Sequence, residues 1–85
     1  MIIFDYTITD EQGIHARPAG ELIKLVKTFT STVNMEKNGK EADCRKIFSI
    51  MGLAVKQGDT VTFSVDGEDE EAAAFAIKEF MEKNL

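Results

Sequence analysis

The apolar residues of this chain change their spacing along its length, between every second position and every third or fourth, and those changes constrain the fold more than any single motif. Residues 2–8, IIFDYTI, put Ile2, Phe4, Tyr6 and Ile8 on one face by strict alternation, the pattern of a half-buried strand. The polar TDEQG then reads as a loop. From Ala19 the spacing is helical: Ala19, Leu22, Ile23 and Val26, with Phe29 beyond, form one stripe, and Glu21, Lys24 and Lys27 face outward. Val33 and Met35 resume the alternation as far as Asn38-Gly39, a dipeptide suited to the positive φ angles of a type I′ hairpin turn, with a short return strand from Lys40 to Asp43. KIFSIMGLAV is a dense apolar run that reads as a short helix, and DTVTFSV, residues 59–65, alternates Val61, Phe63 and Val65 as a last strand. The final segment, EDEEAAAFAIKEFMEKNL, opens acidic and has Lys83 near its end, as a helix dipole favours, with Ala73, Ala76, Ile77 and Phe80 as its expected buried stripe.

The order is therefore strand, helix, strand, strand, helix, strand, helix. One apolar face per strand and amphipathic helices predict an α+β two-layer domain, a four-stranded sheet with three helices packed on one side. Eighty-five residues are too few for two independent cores, so residues 1–85 are expected to form one domain.

Charge narrows the function classes. A net charge of −5 argues against nucleic acid or an anionic membrane as the main partner, because both are bound through basic surface. The acids Glu68, Asp69, Glu70, Glu71, Glu79 and Glu82 crowd the last quarter, while Arg17, Lys24, Lys27, Arg45, Lys46 and Lys56 lie earlier and leave room for a locally basic face. Asp5 interrupts the first apolar residues, and no run is long enough to span a bilayer, so a cytoplasmic location is expected. With one cysteine, Cys44, and one histidine, His15, neither an intrachain disulfide nor a metal-ligand spacing is available, and no Ser-His-Asp hydrolase site can be assembled. Cys44 reads as a small buried residue.

The only histidine and the only proline stand together in GIHARPAGELIKLVK. Pro18 fixes φ and donates no hydrogen bond, so it belongs in a first helical turn. Arg17 is the cap if Pro18 is the first helical residue, and His15 is the cap if Pro18 sits deeper; the extended bias of a residue before proline favours the former. Either way His15 lies beside a helix N-terminus, whose unpaired amides form an anion site. A neutral imidazole is a nucleophile near neutral pH, and Arg17 carries a forked cation suited to phosphate oxygens. The local parts fit a phosphoryl acceptor.

With these residues in view, the chain resembles the HPr family, the histidine-containing phosphocarriers of the bacterial phosphoenolpyruvate-dependent sugar phosphotransferase system. GIHARPA, Gly13 to Ala19, matches the family's active-site signature, and the resemblance continues through VNMEKNGK, KIFSIMGLAVKQGD and the acidic last helix. It implies the family's open-faced β-sandwich with an antiparallel sheet. It further implies that His15 accepts a phosphoryl group on Nδ1 from enzyme I and passes it to the IIA domain of a sugar permease, as a covalent carrier rather than a stand-alone enzyme. Arg17 would be the phosphate-side arginine, and the backbone amides of Ala16 and Arg17 would face the phosphoryl group. No cofactor is implied, and a monomer is the simplest expectation. Residue 12 often offers a small polar side chain in this family; Gln12 is larger.

The short helix carries a second apolar cluster. Ile50, Leu53 and Ala54 suffice for its buried stripe, leaving Ile47, Phe48 and Met51 as a candidate exposed patch. The resemblance implies that these three dock on enzyme I and IIA, with Lys24, Lys27 and Arg45 as a basic rim that steers acidic partners. Many family members place a regulatory serine where this chain has Lys46, so that switch cannot operate at this position. Ser49 is the nearby hydroxyl. Gly20, inside the first helix, is expected to permit a close approach. Two alternatives remain beside the sugar relay: a regulatory binding module of the same fold, and a paralogue in a nitrogen-related or specialised phosphorelay.

Overall fold

A computed structural model describes all residues from Met1 to Leu85. The elements are β1 (Ile2–Thr7), α1 (Ala16–Val26), β2 (Thr32–Lys37), β3 (Lys40–Asp43), α2 (Ile47–Gly52), β4 (Thr60–Asp66) and α3 (Glu70–Asn84). The predicted element order is borne out. The four strands form one sheet in the order β1-β4-β2-β3, and every pairing is antiparallel. The last strand is thus central, with Phe63 opposite Phe4 on one side and Met35 on the other.

Alternation decides which face is covered. Val33, Met35, Val61, Phe63 and Val65 point to the helices and are fully buried, whereas Asp5, Thr32 and Glu36 remain exposed on the other face. The sheet is therefore open on one side, as the sequence pattern requires. Burying a side chain as large as Phe63 stabilises the fold by about 1.5–3 kcal/mol. Its ring also stacks on Phe4, with centroids 5.1 Å apart. Asn38 at φ 52 and Gly39 at φ 83 make the β2–β3 turn, as the dipeptide predicts. No helix is long and apolar enough to cross a membrane.

Several local expectations are corrected. Of the two starts open to helix α1, the structure takes the less favoured one: the helix begins at Ala16, Pro18 sits within its first turn, and His15, in an extended conformation, is its cap. The bond from the Ala19 amide to the His15 carbonyl, at 3.0 Å, closes a first turn that contains Arg17 and overrides that residue's extended bias. The buried stripe of α3 is Ala73, Ala74, Ile77 and Met81, with Ala76 and Phe80 at its half-buried margin. Because the helix is alanine-rich, apolar spacing alone leaves its rotation open over this range. Ala54 lies outside α2, exposed and at φ 51, so Ile50 and Leu53 carry the buried side of that segment. Gly20 permits no close approach, since a Cβ there would meet nothing within 4 Å.

Buried Cys44 has its thiol pushed up to about 12, first by desolvation and then by the nearby Asp43 carboxylate. It behaves as a small core residue. At the base of α3, Asp69 accepts the amides of Thr30 at 2.8 Å and Ser31 at 3.0 Å, together with the Ser31 hydroxyl. The hydroxyl bond is the main cause that holds the Asp69 carboxyl below the usual carboxylate range, followed by the Thr30 amide. This clasp ties the loop after α1 to the start of α3.

Candidate functional site

The chain before α1 turns sharply at Gly13, whose φ is +67. Glycine is required there for two reasons. The left-handed conformation is costly with a Cβ, and a Cβ at Gly13 would overlap the Val55 carbonyl oxygen and lie 2.7 Å from Lys56 Cα. The next residue, buried Ile14, donates its amide to that same Val55 carbonyl at 3.1 Å. On the near side of the turn, the Gly13 amide bonds to the Asp10 carbonyl at 3.0 Å and the Gln12 amide to Asp10 Oδ1 at 2.8 Å. The loop reaches His15 already fixed by its own hydrogen bonds and by the segment after α2.

His15 has φ −115 and ψ 179, makes no side-chain capping bond, and is half-buried. The first turn of α1 contains no acidic residue. Ala19 is bonded to the His15 carbonyl, Pro18 has no N–H, and the amides of Ala16 and Arg17 have no acceptor in the protein. The helix end therefore offers two free amides, those of the two residues that follow the lone histidine. This concentrates the positive end of the helix dipole where a group bonded to His15 would carry negative charge.

Arg17 is 86% exposed, and its Nε lies 3.6 Å from Glu21 Oε1 one turn along the helix. An exposed ion pair at that distance contributes less than about 1 kcal/mol and holds the guanidinium loosely. It is free to swing. Pro18, by contrast, is buried and anchors the turn.

Helix α2 packs against α1 and leads, through Leu53 and Ala54, into the Val55 carbonyl that backs the histidine loop. On α2, Phe48 is 88% exposed and Met51 is at the surface beside it, while Ile47 is half-buried against the core. Phe48 and Met51 thus form the exposed part of the apolar patch expected from the sequence. Lys24 on α1 and Lys27, the cap at its C-terminal end, are exposed. Arg45 is committed elsewhere: its guanidinium donates to the carbonyls of Phe29 at 2.9 Å and Ser31 at 3.1 Å, bracing the loop after α1. Lys46 caps α2 in an extended conformation with no side-chain capping bond, and Ser49 is exposed on the helix.

A recess of about 190 Å³ lies between β3 and α2, lined by Lys40, Glu41, Phe48, Ser49, Gly52 and Leu53. It falls below the roughly 300–1,000 Å³ usual for small-molecule sites and His15 does not line it. His15 itself is half-buried at the start of α1.

Residues that the sequence reading did not single out are Val55 and Lys37. Val55 accepts the Ile14 amide. Lys37 Nζ donates to the Ala54 carbonyl at 2.8 Å and lies 2.9 Å from Asp59 Oδ2. The hydrogen bond from Lys37 is the main cause that lowers the Asp59 carboxyl from its ordinary value, with the Lys56 amide second. The KQGD turn marks this segment in the sequence, but nothing local relates it to residues 13–15.

Residues 2–83 match the model of a family described as "PTS HPr component phosphorylation site". The phosphocarrier protein HPr of Lysinibacillus sphaericus is 42% identical over 72 residues, covering 85% of this chain and 82% of that protein. The phosphocarrier protein HPr of Mycoplasma capricolum is 38% identical over 81 residues, covering 95% and 91%. Among solved structures, HPr-C-His from Thermoanaerobacter tengcongensis superposes with a TM-score of 0.93 at 35% identity, over 98% of this chain and 93% of that one.

Proposed function

This chain belongs to the HPr family of phosphocarrier proteins, and from that premise we propose that His15 is its phosphoryl acceptor in a relay from enzyme I to the IIA domains of sugar permeases. The observation that carries the reading is the pair of unpartnered amides, Ala16 and Arg17, at the start of α1 beside the only imidazole.

The chemistry follows from these groups. The lone pair of a neutral imidazole nitrogen, Nδ1 by family resemblance, attacks phosphorus on the donor. A nitrogen–phosphorus bond forms at His15 as the donor's own bond to phosphorus breaks, and the donor keeps that bond's electron pair. Transfer onward is the same exchange, with His15 as the leaving group. The two amides and the helix dipole stabilise the added negative charge, and Arg17 leaves Glu21 to meet the phosphoryl oxygens. Because the group is held covalently, the chain is a carrier rather than a stand-alone enzyme.

Docking falls to Phe48 and Met51, with the half-buried Ile47 beneath them. Exposed aromatic and methionine side chains suit two differently shaped partners met in turn. Lys24 on α1 and Lys27 at its C-terminal end supply positive charge, and Arg45 contributes charge from a braced position. In this reading the chain acts as a monomer, in the cytoplasm where phosphoenolpyruvate is available.

The test is to incubate the protein with enzyme I and phosphoenolpyruvate and look by phosphorus NMR for an acid-labile phosphoryl group on His15. Labelling that is lost in His15→Ala, with that variant still folded, supports the carrier reading. No labelling with enzyme I from the same organism favours a binding module that docks without relaying phosphate.

A further inference from the structure

Ala54 sits in the left-handed region at φ 51, where a residue with a Cβ is strained. Its carbonyl accepts a 2.8 Å hydrogen bond from Lys37 Nζ. The same ammonium pairs with Asp59 Oδ2 at 2.9 Å, and that oxygen accepts the Lys56 amide at 2.8 Å. With 16% of its side chain exposed, Lys37 is held in place by these partners and differs from the exposed Lys24 and Lys27. One peptide further on, the Val55 carbonyl accepts the Ile14 amide and abuts Gly13. The ammonium at the end of β2 therefore holds one peptide of a segment whose next peptide holds the residue before His15.

We infer that Lys37 is a positioning residue for phosphoryl acceptance at His15, acting through the Ala54 and Val55 peptides and Ile14 to keep the histidine backbone and the free amides of Ala16 and Arg17 aligned. The inference deepens the carrier reading and rests on it. Lys37 never touches the phosphoryl group. Its bond to the Ala54 carbonyl offsets the strain at that residue, and without it the 54–56 segment relaxes toward an ordinary backbone conformation and carries the Val55 carbonyl with it. The Ile14 amide then loses its fixed acceptor, and the backbone at His15 and the two amides that follow it lose their fixed placement.

Three variants test this with enzyme I and phosphoenolpyruvate as the phosphoryl source: Lys37→Met, Lys37→Arg, and Lys37→Met combined with Ala54→Gly. Lys37→Met is expected to lower the turnover of transfer to His15 by about three- to tenfold with little change in KM, because small misplacement of a reacting group acts on rate. Lys37→Arg restores part of the loss. The added Ala54→Gly restores more, since glycine adopts that φ without strain. In Lys37→Met, the Ile14 amide also exchanges faster with solvent and the His15 imidazole resonances move. Wild-type turnover with unchanged Ile14 exchange overturns the inference, as does a loss confined to KM, which would make Lys37 a docking residue. If the wild-type chain takes no phosphoryl group, the carrier reading fails on its own. Ile14 exchange and the His15 resonances need no donor, so they still decide whether Lys37 holds the loop.

Discussion

The amide of Ile14 donates to the carbonyl of Val55 across 3.1 Å, fastening the chain just before the lone histidine to the segment that follows α2. The position of His15 thus depends on a contact between residues 41 positions apart, and Gly13 is the residue that lets the two backbones meet.

Gly13→Ala is expected to destabilise the protein by about 2 kcal/mol or more, because a left-handed backbone with a Cβ costs about 1–2 kcal/mol and the new carbon would also collide with the Val55 backbone. Urea denaturation followed by circular dichroism measures the loss. A variant as stable as wild type would mean that the loop can move away from Val55 at no cost.

Gly20→Ala should act in the opposite sense. The glycine lies inside α1 with open space around its missing Cβ, so alanine gains helix propensity at no packing cost. The expected gain is about 0.5–1 kcal/mol, or a rise in Tm of roughly 2–8 °C for a domain of this size. Calorimetry would detect it, and a lower Tm would reveal a constraint that the open space does not show.

Asp69 links stability to acid. Its folded-state pKa lies below the ordinary value of 3.8, so the stabilisation from its bonds to Ser31 and Thr30 is complete above that value and is lost as pH falls through the folded pKa. Asp69→Asn should be less stable than wild type near neutrality, and the gap should narrow on acidification below about pH 4. Asp59 and Glu70 are shifted in the same direction, so the variant should still lose stability in acid. Melting curves at pH 7 and pH 3 make the comparison, and a gap that widens in acid contradicts the assignment.

Phe48→Ala separates docking from folding. A side chain 88% exposed contributes little to the core, and its truncation should change stability by less than about 0.5 kcal/mol. Titration calorimetry with enzyme I should show weaker binding. Unchanged affinity would move the docking surface away from α2.

The layout of the fold could be read from the chain because its signals are local. Alternation marked β1, β2 and β4, Asn38-Gly39 marked the hairpin and with it β3, and the apolar spacing of α1 named Ala19, Leu22 and Val26, which are buried, and Ile23, which is half-buried. Where several readings satisfied the same pattern, the sequence was less informative. The alanines of α3 allow more than one rotation, and Arg17-Pro18 allowed two starts for α1, which tertiary contacts decided. Arg45 illustrates a different limit: a basic residue near an expected docking face reads as free charge until its guanidinium is found on the Phe29 and Ser31 carbonyls. The brace behind His15 was not legible at all, because Lys37, Ala54, Val55 and Ile14 are joined mainly through backbone groups, which carry no side-chain signature.

The central place of β4 governs how the molecule comes into being. Strand β1 and the β2–β3 hairpin are not neighbours in the sheet, and only residues 60–66 join them. During synthesis, the histidine motif emerges early yet has no frame until residues 60–66 have been made, since β1 must wait for a partner whose register begins more than fifty residues later. Such long-range pairing delays assembly relative to a chain of local contacts. On this topology, a nascent chain halted before β4 would display the histidine but not the site.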